Sequence, residues 1–191
     1  MNHSNRRSHH KQRVFRDFYP TPSLLTKVLL DNYLIKGEVL EPCAGNGDMA
    51  AVLEKSPFIE TVISTDVKDG KRFDATSPEY WQQNGRVSWV VTNPPFKCAT
   101  EILSLALKNS NVGVAFLLRL TYLEPCLKRA RLLQEYSDNL VKIIPVSPRP
   151  KFREGNKTDS TTVAWFVWDK SFSWQKSYID CPFNFVSDWR K

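Results

Sequence analysis

Asn93-Pro94-Pro95-Phe96 closes the apolar run Val87-Ser88-Trp89-Val90-Val91-Thr92. Two consecutive prolines fix φ and carry no N–H, so Pro94 and Pro95 leave a rigid segment with outward carbonyls and an amide side chain beside them. Such a segment suits a planar exocyclic amine, whose lone pair is delocalised into its ring and which is therefore a poor nucleophile. The Asn93 side-chain carbonyl and the Pro94 backbone carbonyl can each accept one N–H of that amine. Together they would draw the nitrogen toward tetrahedral geometry and aim its lone pair at an electrophile. Phe96 offers a ring on which the amine's own ring can stack. A proline-rich turn after a strand is the plainer reading of the same four residues.

A second constellation lies upstream. Glu41-Pro42-Cys43-Ala44-Gly45-Asn46-Gly47 follows the short apolar segment Val39-Leu40, and its two glycines permit positive φ and the close approach of a ligand. The loop lacks the third glycine of a dinucleotide fingerprint and the Gly-Lys-Ser/Thr of a P-loop, so a phosphate ligand is not its first choice. Asp66 ends the next β-prone run, Thr61–Thr65, where a carboxylate can accept both hydroxyls of a ribose. A tight strand–helix turn and an N-cap or turn aspartate are the alternatives for these two features.

The elements that must position these groups alternate. Thr21-Pro22 reads as an N-cap followed by proline at the first helical position, with Leu24, Leu25, Val28, Leu29 and Tyr33 at helical spacing up to Gly37. A strand over 38–41, a short helix over 48–55, a strand over 61–65, a short helix from Ser77-Pro78 and a strand over 87–92 follow. Ala99, Ile102, Leu103, Ala106 and Leu107 mark a helix face, and 112–118 is an apolar run without alternation, as in a strand covered on both sides. A helix over 123–136, a strand over 140–144, a proline-rich basic loop over 145–160 and the β-prone run 161–168 complete the chain. Strands alternating with helices imply an α/β fold, a mostly parallel sheet with helices on both faces. Ligands of such sheets bind beyond the carboxyl ends of the strands, which is where Glu41, Asp66 and Asn93 fall.

Composition removes several chemistries. All three histidines, His3, His9 and His10, precede residue 11, so the body has no imidazole to act as a base, activate a nucleophile or ligate zinc. No metal is expected. Cys43, Cys98, Cys126 and Cys181 form no CxxC pair and read as reduced, small hydrophobes. Of the net charge of +7, five charges (Arg6, Arg7, Lys11, Arg13 and Arg16) lie in residues 1–16, which hold no acidic residue. That stretch is expected to be a disordered basic tail, either solubilising or phosphate-contacting, before one catalytic domain over 17–191. No apolar run approaches a membrane span or a signal peptide, so no membrane partner and a cytoplasmic location are expected.

Taken in order, Tyr19-Pro20-Thr21-Pro22, Glu41 to Gly47 and Asn93-Pro94-Pro95-Phe96 resemble the amino-methyltransferase family of DNA methyltransferases, in the motif order of many bacterial and phage N6-adenine enzymes. The likeness spans roughly residues 17–170. It implies a Rossmann-like class I methyltransferase fold with a seven-stranded sheet, S-adenosylmethionine as cofactor, and DNA as partner, with RNA as an alternative. By the same resemblance, Tyr19 and Thr21 would border the methionine end of the cofactor. Glu41, Ala44, Gly45 and Gly47 would line its methionine and sulfonium region. Asp66 would hold the ribose, Val67 would lie against the adenine, and Asp74 would accept from the adenine amine. Asn93, Pro94, Pro95 and Phe96 would form the catalytic segment. Phe152 would stack on a flipped base, with Arg149, Lys151, Arg153 and Lys157 suited to phosphates. A solvated basic loop with Phe152 as an apolar anchor is the other reading of that stretch.

The implied reaction is methyl transfer to adenine N6 in DNA. Cytosine N4, RNA or protein glutamine are alternative targets, and a cofactor-binding module without catalysis is the non-enzymatic one. The chain departs from many such enzymes in having no stretch long enough for an added target-recognition domain.

Overall fold

The computed structural model describes residues 20–84, 86–124, 126–150, 152 and 162–177. The basic tail, Tyr19, Lys151, Arg153 and Lys157 lie outside the described residues.

Strands β1 (Gly37–Glu41), β2 (Ile59–Ser64), β3 (Val87–Thr92), β4 (Ser110–Arg119), β5 (Leu140–Pro145) and β6 (Val163–Asp169) form one sheet in the order β2-β1-β3-β4-β6-β5. Neighbours from β2 to β4 pair in parallel, while β6 runs antiparallel to both β4 and β5. The described sheet has six strands where seven were expected. The connection between β2 and β3 supplies 3-10 turns at Val67–Asp69 and Lys71–Phe73 and a helix at Pro78–Asn84 in place of a strand. Its Lys68-Asp69-Gly70-Lys71-Arg72 run has neither alternation nor β-branched residues, and β2 is left as a sheet edge.

Helices α1 (Ser23–Asn32), α2 (Ala50–Leu53), α3 (Pro78–Asn84), α4 (Ala99–Asn109) and α5 (Leu127–Glu135) divide between the faces. Successive strand side chains point to opposite sides. Leu40, Val90, Val114, Phe116 and Trp168 accordingly pack with α3, α4 and α5, through Tyr80, Ile102, Leu103, Ala106 and Leu133. Val39, Trp89, Val91, Ala115 and Trp165 face the other way and pack with α1 and α2, through Leu25, Leu29 and Leu53. Every residue of β6 is buried, as expected of the apolar run 163–168, and Asp169 at its end is buried as well.

The start of α1 differs from the sequence expectation. Pro22, not Thr21, occupies the cap position, and no side chain caps the helix. The Thr21 hydroxyl is committed elsewhere. The helix is instead tied to the sheet by the Trp165 indole N–H, which donates to the Leu25 carbonyl at 2.8 Å.

Gly113 marks the tightest approach in the sheet. A Cβ there would collide with the Trp168 carbonyl and the Trp89 indole. Neither neighbour is free to yield, since both tryptophans are fully buried. Gly113→Ala is therefore expected to destabilise the fold by about 1–3 kcal/mol. An unchanged denaturant midpoint for that variant would contradict this packing.

The strand order places the site. From β1 the chain steps outward to β2 and then returns past β1 to β3, so the direction of winding reverses between β1 and β3. Loops leaving two such adjacent parallel strands diverge to opposite faces and open a crevice at their carboxyl ends. Here those loops are Pro42–Gly47 and Asn93–Phe96. No helix among the described residues is long and apolar enough to cross a membrane.

Candidate active site

The crevice is a cavity of about 600 Å³. Thr21, Glu41, Ala44, Gly45, Asp66, Val67, Asp74, Asn93, Pro94, Pro95 and Phe96 all line it, although they come from five separate stretches of chain. Gly47 does not line the cavity, but it supports the loop that does. Its φ of 84° and the 55° of Gly45 lie in the left-handed region, which costs residues with a Cβ. The Gly47 N–H closes the turn on the Ala44 carbonyl at 2.8 Å, and the Ala44 N–H reaches the Thr65 carbonyl at the end of β2 at 2.9 Å.

Asp66 locks onto this loop. Its Oδ2 accepts the Gly45 N–H at 2.8 Å and its Oδ1 the Lys68 N–H at 3.0 Å. It therefore caps the following 3-10 turn while facing the cavity, so the turn aspartate and the cavity aspartate are one residue. Each carboxylate oxygen keeps a second lone pair for a hydroxyl donor. The Lys68 ammonium donates to the Gly45 carbonyl from the other side of the loop. Asp74 is spent partly on Thr76, whose N–H and hydroxyl both donate to its Oδ1, at 2.9 and 2.7 Å.

Glu41 is the unusual group. It is 2% exposed. The backbone of Ala50 at the start of α2 favours its ionised form, but Oε2 is buried without a hydrogen-bond partner. Burial, reinforced by Asp66 and Asp48, raises its pKa to about 8, so at neutral pH it is mostly protonated. Burial also pushes the neighbouring Cys43 thiol far up, which removes it as a nucleophile.

At the far wall the Asn93 side-chain Nδ2 donates to the Thr21 hydroxyl at 3.1 Å. Phe96 lies under the guanidinium of Arg119, whose Cζ is 3.9 Å from the ring centroid. Arg119 ends β4 and is exposed, and Lys97 lines the cavity. Sequence reasoning named neither of these cations nor Lys68. Arg119 had a usable signal, because it ends a strand on the same side of the sheet as Asn93.

Phe152 is 7% exposed and packs in the α1 face of the core with Leu25, Leu29 and Trp165. Arg149 is exposed and does not line the cavity.

No protein-family profile matches the chain, and no curated protein sequence matches it. Solved structures do. The modification subunit of a putative type I restriction enzyme from Vibrio vulnificus superposes with a TM-score of 0.61 at 17% identity, over 87% of this chain and 48% of that one. The methyltransferase subunit of a type I restriction-modification system from Streptococcus thermophilus gives 0.52 at 13% identity, over 78% and 44%. A putative class I S-adenosylmethionine-dependent methyltransferase from Listeria monocytogenes gives 0.52 at 10%, over 87% and 62%. The chain has the class I methyltransferase fold. It spans about half or less of the length of the two restriction-system subunits.

The cavity has groups that could hold a cofactor. Opposite an orphaned, buried Glu41 Oε2 an ammonium group would find the partner the carboxyl lacks, and Asp66 keeps lone pairs for a ribose diol. Val67, 54% exposed although apolar, offers a face for a purine.

Proposed function

We propose that this chain transfers a methyl group from S-adenosylmethionine to the exocyclic amine of an extruded nucleobase, adenine N6 in DNA. The observation that carries the reading is the shared cavity. It holds the rigid Asn93-Pro94-Pro95-Phe96 strand end together with Glu41, Gly45 and Asp66.

Glu41, Gly45, Asp66 and Val67 would hold the cofactor, which when bound supplies an electrophilic methyl group. Asn93 Oδ1 and the Pro94 carbonyl accept the two N–H bonds of the target amine and localise its lone pair. Phe96, backed by Arg119, stacks on the base. These acceptors are preorganised by two prolines and need no reorganisation as charge develops on the nitrogen. The surplus proton of the methylated amine leaves to solvent, in keeping with a body that holds no histidine. Base stacking rests on Phe96, because Phe152 would have to leave the core to take part. The two restriction-system neighbours support DNA as the substrate class, and the resemblance of the Asn93-Pro94-Pro95-Phe96 motif to N6-adenine enzymes favours adenine over cytosine.

Incubation with labelled S-adenosylmethionine and unmethylated plasmid, followed by nucleoside mass spectrometry, tests the reading. N6-methyladenine is the expected product. N4-methylcytosine would keep the mechanism and change the base. Bound cofactor without DNA product would send the search to RNA and protein amides, and a protein that methylates none of these would be a cofactor-binding module.

Asp66→Ala is expected to raise the cofactor Kd about 10- to 100-fold, since it removes hydrogen bonds to a charged acceptor, with turnover at saturating cofactor largely kept. A normal Kd in that variant would remove Asp66 from the cofactor site.

A further inference from the structure

We propose that Thr21 is a positioning residue for the reaction, holding the Nδ2 end of the Asn93 carboxamide so that Oδ1 is the end offered to the target amine. The inference rests on the amino-transfer reading above and assigns Thr21 to the target side of the cavity, not to the cofactor.

The two ends of a carboxamide are nearly equal in size, so shape alone does not decide which one faces the cavity. Only one arrangement works chemically. If Nδ2 faced the target, its N–H bonds would oppose those of the amine. If Oδ1 faces it, the amine has its acceptor, and Nδ2 must find one of its own in a partly buried site. The Thr21 hydroxyl is that acceptor, at 3.1 Å.

Thr21 is suited to hold still. It is 8% exposed and flanked by Pro20 and Pro22. Proline fixes its own φ and pushes the residue before it toward extended backbone, so the hydroxyl is carried on a stiff Pro-Thr-Pro segment. That segment leads directly into α1, which Leu25, Leu29 and the Trp165–Leu25 hydrogen bond anchor to the sheet. The absence of any side-chain cap on α1 fits the same picture, because Thr21 serves Asn93 in place of the helix.

Two measurements test this, on Thr21→Val, which keeps the shape and loses the acceptor, and Thr21→Ser, which keeps the hydroxyl. Thr21→Val is expected to lower kcat about 10- to 100-fold, as loss of an orienting partner typically does, with the cofactor Kd unchanged and Thr21→Ser near wild type. Unchanged kcat in Thr21→Val, or a loss confined to the cofactor Kd, would overturn the proposal while leaving methyl transfer intact. The second measurement does not depend on turnover. In a nitrogen-15 correlation spectrum, the Asn93 side-chain amide pair, identified by its loss in Asn93→Ala, should exchange slowly with water in wild type and Thr21→Ser and fast in Thr21→Val. Equal exchange in all three would overturn the proposal even if no substrate had been found.

Discussion

Asn93→Ala is expected to lower turnover by about 10²–10³-fold while leaving S-adenosylmethionine affinity unchanged, the usual scale for loss of one preorganised acceptor. The substitution removes one of two acceptors for the target amine, and the Pro94 carbonyl remains to give residual activity. It leaves Pro94, Pro95 and the cofactor wall of the cavity in place. Its loss should therefore fall on kcat and not on the cofactor Kd. Single-turnover methylation and a binding isotherm on the same preparation separate the two. A parallel loss in both quantities would mean that Asn93 holds the cofactor or the fold, and the assigned role would fall.

Cofactor affinity is expected to rise with pH by up to tenfold per unit as pH approaches about 8, and to level off above it. In the free protein Glu41 keeps its proton up to that point, because its carboxyl is buried and Asp66 and Asp48 stand nearby. Pairing with a cationic ammonium requires the carboxylate. The complex then holds fewer protons than its components, so raising the pH favours binding. At pH 7 association should release close to one proton, measurable as a difference in calorimetric heat between two buffers. Glu41→Gln should abolish that difference and flatten the pH profile. A pH-independent Kd in the wild type would remove Glu41 from the ammonium site.

The same group acts on stability with the opposite sense of demand. Its folded pKa of about 8 lies above the ordinary value of 4.5. Its favourable contribution is therefore full below about 4.5 and is lost as pH rises through about 8. Without cofactor, the protein should lose stability across that window, and Glu41→Gln should lose less.

Much of the site is written locally. Pro94 and Pro95 stiffen the end of β3 wherever that strand lies, and Gly45 and Gly47 permit the turn after β1 regardless of what surrounds it. The alternation of apolar runs with helical spacing also implied the parallel sheet, and with it the co-location of Glu41, Asp66 and Asn93 at strand ends. Those inferences depend on sterics between chain neighbours and on periodicity, which a sequence displays directly.

Other features were decided only by packing. A threonine before Pro22 has the same local chemistry whether it caps a helix or accepts from Asn93, and the choice follows from how α1 docks on the sheet. Phe152 stands among basic residues in the sequence, and its burial depends on a core built from α1 and β6. The seventh strand expected from resemblance is replaced among the described residues by turns and a short helix, leaving β2 at an edge. Glu41 has an ordinary carboxylate in the sequence; its raised pKa arises from burial in the folded protein, with Asp66 and Asp48 nearby. The sequence by itself determined which groups stand at the ends of the strands. Tertiary structure decided how polar each group's surroundings are and which partner it meets, because burial and long-range hydrogen bonds depend on the packed arrangement of whole elements and leave no trace in local spacing.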